Sequence, residues 1–286
     1  MARIIITGAG GTIGRILMRD LADLFPIGIT RSAVDLTDVM GVIEMIEEHR
    51  PDVLIHCATK GGKQSFGEFI ASDLIENISM VDNICRASAN IGTIINIGSG
   101  AEYGRSGKIS NVSERSLRSG IYPIPTDSYG LSKWLAWNQF EQMNNSVTLR
   151  LFGCFDPIEP DFRLLRRFAD HAREGKHFVL SQDREFSWIS GLDLSAVVRR
   201  TIELRTSRSW WKSKDLPRSL NVAYADTSRM RLSEFLVRWT AARGVDASFS
   251  IAQDGIGNPY TCDADLMMET LSPRLVGIDA SMEGYE

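Results

Sequence analysis

Short apolar runs alternate with longer amphipathic segments along the first half of the chain. The runs are rich in β-branched residues and predict strands at 3–7, 27–30, 52–57, 93–97 and 146–152. The segments between them carry apolar residues at helical spacing and predict helices at 13–25, 38–48, 73–90 and 128–143. Repeated β-α-β units of this kind predict a parallel sheet with helices on both faces.

The second half of the chain predicts helices near 161–174, 191–206 and 228–243 and a short strand near 219–223. We therefore expect the α/β class: a Rossmann-type, doubly wound parallel sheet with a small C-terminal α/β lobe that binds substrate. The dinucleotide-binding domain is predicted over 1–155, with later returns near 180–206 and 219–224. Residues 156–286 are predicted to form mainly the lobe. Such sheets bind ligands at the carboxyl ends of their strands.

Composition excludes several classes of protein. Hydrophobic residues make up 43% and charged residues 24% of the 286 positions, which is typical of globular chains. The net charge of −4 argues against a nucleic-acid-binding surface. No apolar run is long enough to span a bilayer, and residues 1–6 lack the apolar region of a signal peptide. We expect a cytoplasmic protein without a nucleic-acid or membrane partner.

The four cysteines, Cys57, Cys85, Cys154 and Cys262, are far apart and form no metal-ligand pattern with histidine. We therefore expect free thiols in a reducing compartment and no metal site. Charge is uneven along the chain. Segment 141–218 has 14 basic and 11 acidic residues, a net charge of +3. This segment either faces a small anionic ligand or carries a solvated, arginine-bearing helix face.

A glycine-rich turn follows the first predicted strand. Residues 7–14 read Thr-Gly-Ala-Gly-Gly-Thr-Ile-Gly and open a predicted helix. Glycine lets the backbone N–H groups at a helix N-terminus approach a pyrophosphate, which a Cβ atom would obstruct. We expect dinucleotide contacts from Gly8, Gly11, Thr12, Ile13 and Gly14. A tight turn without a ligand is the alternative.

The end of the second strand indicates which dinucleotide binds. NAD-dependent enzymes usually place an acidic residue there to hold the ribose 2′-OH, whereas this chain has Thr30-Arg31-Ser32. Arg31 can pair with a 2′-phosphate and Ser32 can donate to it, which favours NADP over NAD. Asp35 lies slightly later and is predicted to meet the adenine amino group, and Leu36 beside it is also predicted at the cofactor. A solvated Arg31 without a ligand is the alternative.

A Y-x-x-x-K pattern, Tyr129 to Lys133, lies at the start of a predicted helix. Spacing of four places the two side chains on one helix face. The Lys133 ammonium favours the phenolate of Tyr129, so the phenol can exchange a proton with a substrate oxygen near neutral pH. Ser99 follows the strand at 93–97 and is predicted to hydrogen-bond the same oxygen.

Three motifs together, residues 7–14, 99–104 and 129–133, resemble the extended short-chain dehydrogenase/reductase family, the NAD-dependent epimerase/dehydratase-like enzymes. Many members modify nucleotide sugars. Looser markers follow at 149–153, 184–193 and 220–223. The resemblance implies a catalytic trio of Ser99, Tyr129 and Lys133, with Tyr129 and Lys133 also beside the cofactor. It implies a contact from Arg184 to the substrate's diphosphate.

Further site residues are predicted on the same basis. Ala58 and Thr59 belong to the segment 58–62, which resembles the NADP-dependent fucose-type epimerase/reductases, and are predicted at the cofactor. The substrate site is predicted to include Ser99, Gly100, Arg150 and Arg184. Family members tend to dimerise through the helices near 73–90 and 128–143, so we expect a homodimer. The apolar face of Leu131, Leu135 and Phe140 fits either a dimer interface or a core.

Departures from the family's motifs narrow the predicted chemistry. Dehydratases carry Thr-Asp-Glu where this chain has Ser99-Gly100-Ala101, and Glu102 falls one position too late. Fucose-type enzymes invert centres with a Cys and a His, which fall at Ala101 and near Glu159. The sequence thus predicts an NADP-dependent reductase of a nucleotide-linked 4-keto-6-deoxysugar. The alternatives are a nucleotide-sugar 4-epimerase with bound NAD, a non-catalytic NADP-binding sensor, and a reductase of a non-sugar carbonyl.

Overall fold

A computed structural model describes residues 2–61, 68–104, 107–207 and 216–285. The strands within these ranges are β1 (Ile4–Thr7), β2 (Ile27–Ile29), β3 (Val53–His56), β4 (Thr93–Ser99), β5 (Ile109–Val112), β6 (Ser146–Leu151), β7 (Gly153–Phe155), β8 (Phe178–Asp183), β9 (Trp188–Ser190), β10 (Ser219–Val222), β11 (Phe249–Ile256) and β12 (Tyr260–Cys262). The α-helices are α1 (Thr12–Asp20), α2 (Val39–His49), α3 (Ala71–Arg86), α4 (Glu114–Arg118), α5 (Ser128–Glu141), α6 (Leu164–Arg173), α7 (Gly191–Thr206), α8 (Leu232–Arg243), α9 (Asp265–Leu271) and α10 (Ile278–Glu283).

Six strands form one parallel sheet in the order β10-β6-β4-β3-β1-β2. Strand β1 lies between β2 and β3, so the chain leaves β1 towards one edge and later returns on its other side. Such a reversal opens a crevice at the carboxyl ends of the two strands that flank it, here β1 and β3. The predicted Rossmann-type, doubly wound α/β fold is confirmed.

Both faces of this sheet are covered, which explains the unbroken apolar runs of its central strands. Side chains alternate between faces along a strand. Ile4 and Ile6 pack in the cluster on one face, whereas Ile5 packs in the cluster on the other. Each is at most 2% exposed. Burial of an aliphatic side chain of this size contributes about 1.5–3 kcal/mol.

Helix ends differ from the prediction by a few residues. Helix α1 ends at Asp20 rather than at 25, because Ala22–Leu24 form a 3-10 turn and Phe25 takes a left-handed backbone, φ 52°. Helix α3 runs over Ala71–Arg86 and a separate 3-10 turn covers Ser88–Asn90. Apolar spacing does not distinguish a continuing α-helix from a short 3-10 turn.

The later chain packs directly against the sheet. Strands β8 and β11 pair in parallel, and an aromatic cluster fills the space beneath them. Within it the rings of Trp188 and Phe235 stack with centroids 4.0 Å apart. One hydrophobic cluster extends from Ile4 of β1 to Tyr285. The division at 155/156 stays a proposal. The predicted return at 180–206 contains the end of β8, β9 and α7, and of these α7 packs on α1. The predicted return at 219–224 contains β10, which joins the six-stranded sheet.

Three expectations from the sequence concern membrane-spanning helices, metal sites and cysteine pairing. No helix in the described ranges is long and apolar enough to cross a membrane. Across those same ranges, no three or more His, Cys, Asp and Glu side chains group as a metal site would require. All four cysteines are free. Trp210 and Trp211, in the predicted loop at 207–217, lie outside the described residues.

The C-terminal segment is anchored by a buried carboxyl group. The Tyr285 hydroxyl donates to Glu159 Oε1 at 2.6 Å, and the backbone N–H of Arg166 donates to the same oxygen at 3.1 Å. Burial raises the pKa of Glu159 to about 7, although the Tyr285 hydrogen bond and the charge of Arg163 oppose this. The carboxyl group is thus more readily protonated in the folded protein than in the unfolded chain.

This shift predicts a loss of stability as pH rises. The folded state binds more protons than the unfolded state between pH 4.5 and about 7, so stability falls across that window and stays lower above it. We expect Glu159→Gln, which keeps the hydrogen bonds but does not titrate, to remove about 1–3 kcal/mol of this pH dependence. Denaturant unfolding of both proteins at pH 5 and pH 8 measures this difference. An equal change in unfolding free energy between the two pH values in both proteins would contradict the prediction.

Candidate active site

The glycine-rich turn lies at the carboxyl end of β1. Gly8 has a left-handed backbone, φ +69°, and a Cβ there would lie 2.6 Å from Ala58 Cα at the end of β3. A Cβ at Gly14 would collide with the carbonyl oxygen of Gly8. Gly11 is the N-cap of α1 and has no side chain with which to cap it. The first N–H groups of α1, at Thr12 and beyond, are therefore available to an anion.

The turn after β2 carries the residues predicted at the ribose and adenine. Arg31 lies on the surface with Asp35, whose carboxylate is 3.6 Å from its guanidinium. The Ser32 and Thr30 hydroxyls are 2.9 Å apart. Leu36 is buried, and its carbonyl accepts a hydrogen bond from Asn83 of α3 at 2.9 Å. Leu36 thus anchors this turn to α3.

A charge network that the sequence did not predict crosses this end of the crevice. Glu76 of α3 accepts from Arg31 at 3.2 Å and also pairs with Lys60. Asp73, one turn earlier, lies 3.9 Å from Lys60. Glu76 therefore joins the turn after β2 to the turn after β3. The sequence signal was weak, because Glu76 lies in the middle of a helix with no motif around it.

The turn after β3 is held in shape by Asn77. The backbone N–H of Lys60 donates to Asn77 Oδ1 at 2.7 Å, and the Asn77 amide donates to the Lys60 carbonyl at 3.0 Å. Thr59 also donates to Asn77 Oδ1, at 3.4 Å. Ala58 and Thr59 therefore lie in a fixed turn beside Gly8. Asn77 is thus a structural residue of this turn.

Helix α5 presents the Y-x-x-x-K pair beside β4. Asp127 caps the helix by accepting from the Gly130 N–H at 2.9 Å. The Lys133 ammonium lies 6.0 Å from the centre of the Tyr129 ring and donates to the Ile97 carbonyl at 2.9 Å. Ile97 precedes Ser99 by two residues on β4. Lys133 thus links the Tyr129 helix to the strand that ends at Ser99.

The serine position is defined by a short 3-10 turn after β4. The Ser99 hydroxyl accepts from the Ala101 N–H at 3.2 Å, and the Ser99 N–H donates to Glu102 Oε1 at 2.8 Å. Gly100 packs closely: a Cβ there would lie 2.6 Å from the Phe152 ring and 2.8 Å from the Tyr260 hydroxyl. Tyr260, on β12, was missed by the sequence because nothing in its local pattern indicates a ligand.

Arg150 does not fit the substrate contact that the sequence predicted. Its side chain is fully buried and pairs with Glu102, Nε to Oε2 at 2.6 Å. A second hydrogen bond runs to Asn221 Oδ1 at 3.1 Å. The prediction was wrong because the net positive charge of the middle segment was taken to face a diphosphate, whereas Arg150 lies within β6 and its counter-charge lies within the protein. Arg184 is half-buried at the end of β8 and stays a predicted substrate contact.

His56 at the end of β3 is a neutral group near the lysine. Burial lowers the pKa of His56 to about 3, and the charge of Lys133 adds to this effect. Its Nδ1 lies 2.9 Å from the Thr7 hydroxyl. Burial likewise raises the pKa of the neighbouring Cys57 to about 12. Both groups therefore stay uncharged at neutral pH and leave Lys133 as the charge beside Tyr129.

The fold and the site define a dinucleotide-binding protein with a Tyr–Lys pair at the carboxyl edge of a Rossmann-type sheet. The model of the NAD dependent epimerase/dehydratase family matches residues 4–210. Since this match covers most of the chain, the protein belongs to that family. The sequence-based prediction of an enzyme of this kind is confirmed.

Individual relatives are more distant. A dTDP-4-keto-6-deoxy-D-glucose reductase from Streptomyces niveus is 37% identical over 73 residues, 24% of this chain. The match spans 25% of that relative's length.

Solved structures share the fold over nearly the whole chain. The GDP-mannoheptose C4 reductase of Campylobacter jejuni, determined with NADP bound, has a TM-score of 0.77 at 19% identity, covering 99% of this chain and 96% of that one. The L-threonine 3-dehydrogenase of Trypanosoma brucei also has a TM-score of 0.77, at 15% identity, covering 99% and 95%. These identities show a shared fold, and the fold serves both sugar and non-sugar substrates.

Proposed function

We propose that the protein is an NADP-dependent reductase of a nucleotide-linked 4-keto-6-deoxysugar. The observation that carries the proposal is the Tyr129–Lys133 pair next to the end of β4, which Ser99 terminates. The carboxylate that follows Ser99, that of Glu102, is already paired with Arg150. Water elimination needs an additional acid and base at the sugar, and Glu102 is buried against Arg150. Carbonyl reduction needs only a hydride and one proton.

The residues of the crevice fit a dinucleotide. Gly8 and Gly14 leave space that a Cβ would fill, and α1 begins at the uncapped Gly11. The proposal places a pyrophosphate over Gly11, Thr12 and Ile13, with Ala58 and Thr59 alongside. When bound, the nicotinamide ring supplies the hydride. The NADP-bound C4 reductase with the same fold supports this choice of cofactor.

The side chains of the trio divide the remaining chemistry. The Tyr129 hydroxyl gives its proton to the carbonyl oxygen as the hydride adds to the carbon, and the oxygen becomes a hydroxyl. The Lys133 ammonium stabilises the phenolate that remains and hydrogen-bonds the nicotinamide ribose. The Ser99 hydroxyl donates to the carbonyl oxygen and polarises it. Arg184 is proposed to contact the diphosphate of the substrate.

A direct assay tests the proposed function. NADPH oxidation is followed with dTDP-, GDP-, UDP- and CDP-linked 4-keto-6-deoxysugars. The dTDP sugar is tested first, because the relative from Streptomyces niveus is named as a reductase of that sugar. Steady oxidation with at least one of them is expected. Interconversion of the two C4-hydroxy epimers of a nucleotide sugar, supplied separately and without net cofactor oxidation, would identify a 4-epimerase. Binding of NADP without turnover of any carbonyl would identify a sensor.

Cofactor preference depends on Arg31 and its carboxylate partners. Asp35 and Glu76 both lie against the Arg31 guanidinium and would repel a 2′-phosphate. We expect Arg31→Ala to weaken NADPH binding about 10–100-fold and to change NADH binding little. We expect Glu76→Gln to strengthen NADPH binding about 3–10-fold at low salt. Fluorescence titration of both cofactors measures these changes.

A matched control for Glu76→Gln lies on the same helix. Asp82 pairs with Arg86 on the exposed face of α3, at 2.8 Å, so Asp82→Asn removes an equivalent charge without touching Arg31. An equal gain in NADPH affinity from both variants would refute a specific role for Glu76. Tighter binding of NADH than NADPH to the unmodified protein would refute the NADP assignment and favour the epimerase.

A homodimer through α3 and α5 completes the proposed assembly. Helices α3 and α5 pack side by side. Leu131 and Leu135 of α5 are half-buried, whereas Phe140 is fully buried and belongs to the core. We expect the mass in solution, from light scattering, to be twice the 31.9 kDa of one chain. Leu131→Glu is expected to shift it to the monomer, and a monomeric parent protein would contradict the assembly.

A further inference from the structure

A fully buried ion pair lies beneath the end of β4. Neither Glu102 nor Arg150 has an exposed side chain, and Arg150 Nε donates to Glu102 Oε2 at 2.6 Å. Burial lowers the pKa of Arg150, but the charge and hydrogen bond of Glu102, together with Tyr103 and Glu114, outweigh this and hold the pKa above its ordinary value. Buried ion pairs contribute little net stability, because desolvation offsets their attraction. The other contacts of this pair therefore indicate its role.

Glu102 holds the backbone of Ser99 with its second oxygen. Glu102 Oε1 accepts the Ser99 N–H at 2.8 Å, and the Ser99 hydroxyl in turn accepts the Ala101 N–H. The pair of contacts forms a capping box around the 3-10 turn. A Cβ at Gly98 would strike the Glu102 carboxylate, so the end of β4 is fitted around it. The position of Ser99 thus depends on Glu102.

Arg150 is fixed from the neighbouring strands. It lies opposite Gly98 of β4 and opposite Asn221 of β10 in the sheet register. Its guanidinium donates to Asn221 Oδ1 at 3.1 Å and lies 5.2 Å from the centre of the Tyr103 ring. The Trp137 ring of α5 lies 5.9 Å away on another side. Arg150 therefore connects β4, β6, β10 and the helix that carries Tyr129.

Asn221 extends the connection to β5, α4 and the segment after β12. Its side-chain amide donates to the Val112 carbonyl at 2.9 Å and to the Asp263 carbonyl at 3.4 Å. Its backbone N–H donates to Glu114 of α4 at 2.6 Å. Strand β12, which carries Tyr260, pairs with β5. One continuous set of hydrogen bonds therefore runs from Ser99 to the segments around Tyr260.

We propose that Glu102 and Arg150 are positioning residues, which fix the Ser99 backbone and keep a balanced charge beneath the Tyr129–Lys133 pair. The proposal rests on the proposed reductase function for the roles of Ser99 and Tyr129. Removing the Glu102 charge alone leaves the Arg150 cation in a low-dielectric interior without its hydrogen-bonded carboxylate, with the weaker influence of Glu114 still opposing it. That cation would stabilise the Tyr129 phenolate beyond the effect of Lys133.

The titration of Tyr129 reports this balance without substrate or cofactor. The charge of Lys133 acts on Glu102 and on His56 and Cys57 at the end of β3. The charge of Arg150 acts on Tyr103 and Glu114 as well as on Glu102. His56 has a pKa of about 3 and Cys57 one of about 12, so both are neutral while the pH is raised from 7 towards 12. The Tyr129 phenolate is measured by ultraviolet absorbance, as the difference between each protein and its Tyr129→Phe counterpart. Lack of turnover would refute the reductase but leave this titration readable.

We expect Glu102→Gln, which still accepts the Ser99 N–H, to lower the Tyr129 midpoint by about one pH unit. Glu102→Gln with Arg150→Met is expected to return the midpoint to that of the parent, which a purely structural role would not do. Asp279→Asn is the control, because it removes a carboxylate far along the chain. Arg238 donates to that carboxylate, with its Nη2 atom 2.8 Å from Asp279 Oδ2. An unmoved midpoint in Glu102→Gln, or an equal shift in the control, would overturn the charge role.

A second measurement tests the backbone role if Glu102→Gln does not fold. Glu102→Leu with Arg150→Met replaces both charges with apolar groups of similar size, which usually preserves stability. It removes the acceptor of the Ser99 N–H. We expect the Ser99 amide to exchange hydrogen at least about tenfold faster while global unfolding stability is retained. Unchanged protection of that amide would overturn the positioning role.

Discussion

Replacement of Tyr129 by phenylalanine is expected to lower the rate of NADPH-dependent ketosugar reduction by about 10²–10⁴-fold. The phenylalanine ring keeps the packing of α5 but has no proton to give to the carbonyl oxygen. Lys133 stays in place because it donates to the Ile97 carbonyl, independently of Tyr129. Single-turnover mixing of enzyme, NADPH and ketosugar measures the loss in the chemical step.

The same variant should bind cofactor normally. Its NADPH affinity and melting temperature are expected to match those of the parent protein, since the glycine turn and the β2 end are untouched. Tyr122→Phe is the matched control, because Tyr122 is a half-buried tyrosine whose ring packs on Tyr103 at 5.2 Å and has no proposed catalytic role. Near-normal turnover in Tyr129→Phe, or an equal loss in the control, would refute the assignment.

Replacement of Gly8 by alanine is expected to destabilise the protein by about 2–5 kcal/mol and to abolish dinucleotide binding. Two costs add up: a left-handed backbone at φ +69° disfavours any Cβ, and the new atom would lie 2.6 Å from the backbone of Ala58. Relief of that contact must move β1 away from β3, which distorts the crevice where the cofactor is proposed to lie. The melting temperature should fall by roughly 5–15 °C.

Gly10 supplies the control within the same turn. A Cβ at Gly10 would meet the Thr30 side chain at 3.8 Å, an ordinary contact. Gly10→Ala is therefore expected to leave the melting temperature within about 2 °C of the parent. Calorimetry of the two variants compares them directly. Equal melting temperatures would show that the close approach between Gly8 and Ala58 does not constrain the fold.

The sequence predicted the sheet well because its signals are local. The central strands are short apolar runs buried on both faces, and the first of them, Ile4–Thr7, is followed by the periodic helix Thr12–Asp20. The later strands were missed for a physical reason. β11 is almost wholly exposed along Phe249–Ile256 and so has no apolar pattern, and its pairing with β8 depends on residues about 70 positions away.

The candidate site was predicted unevenly. The glycine turn and the Tyr129–Lys133 pair are recognisable motifs. The order of the predicted strands was enough to place them at the same edge of the sheet. Arg150 was misassigned because its partner, Glu102, is contributed by a different strand end. Glu76 and Tyr260 approach the crevice from a mid-helix position and from a late strand, where no motif marks them. Charge pairing and close approach across elements are tertiary properties that a linear pattern does not contain.

Transfer of a labelled hydride tests the central claim most directly. The protein is incubated with NADPH carrying deuterium on the transferred position and with dTDP-4-keto-6-deoxyglucose, and the product is analysed by mass spectrometry and NMR. A single deuterium at C4 of the sugar, with one NADPH oxidised per sugar reduced, is the predicted result. Recovery of the ketosugar without deuterium and without net NADPH oxidation would contradict the account.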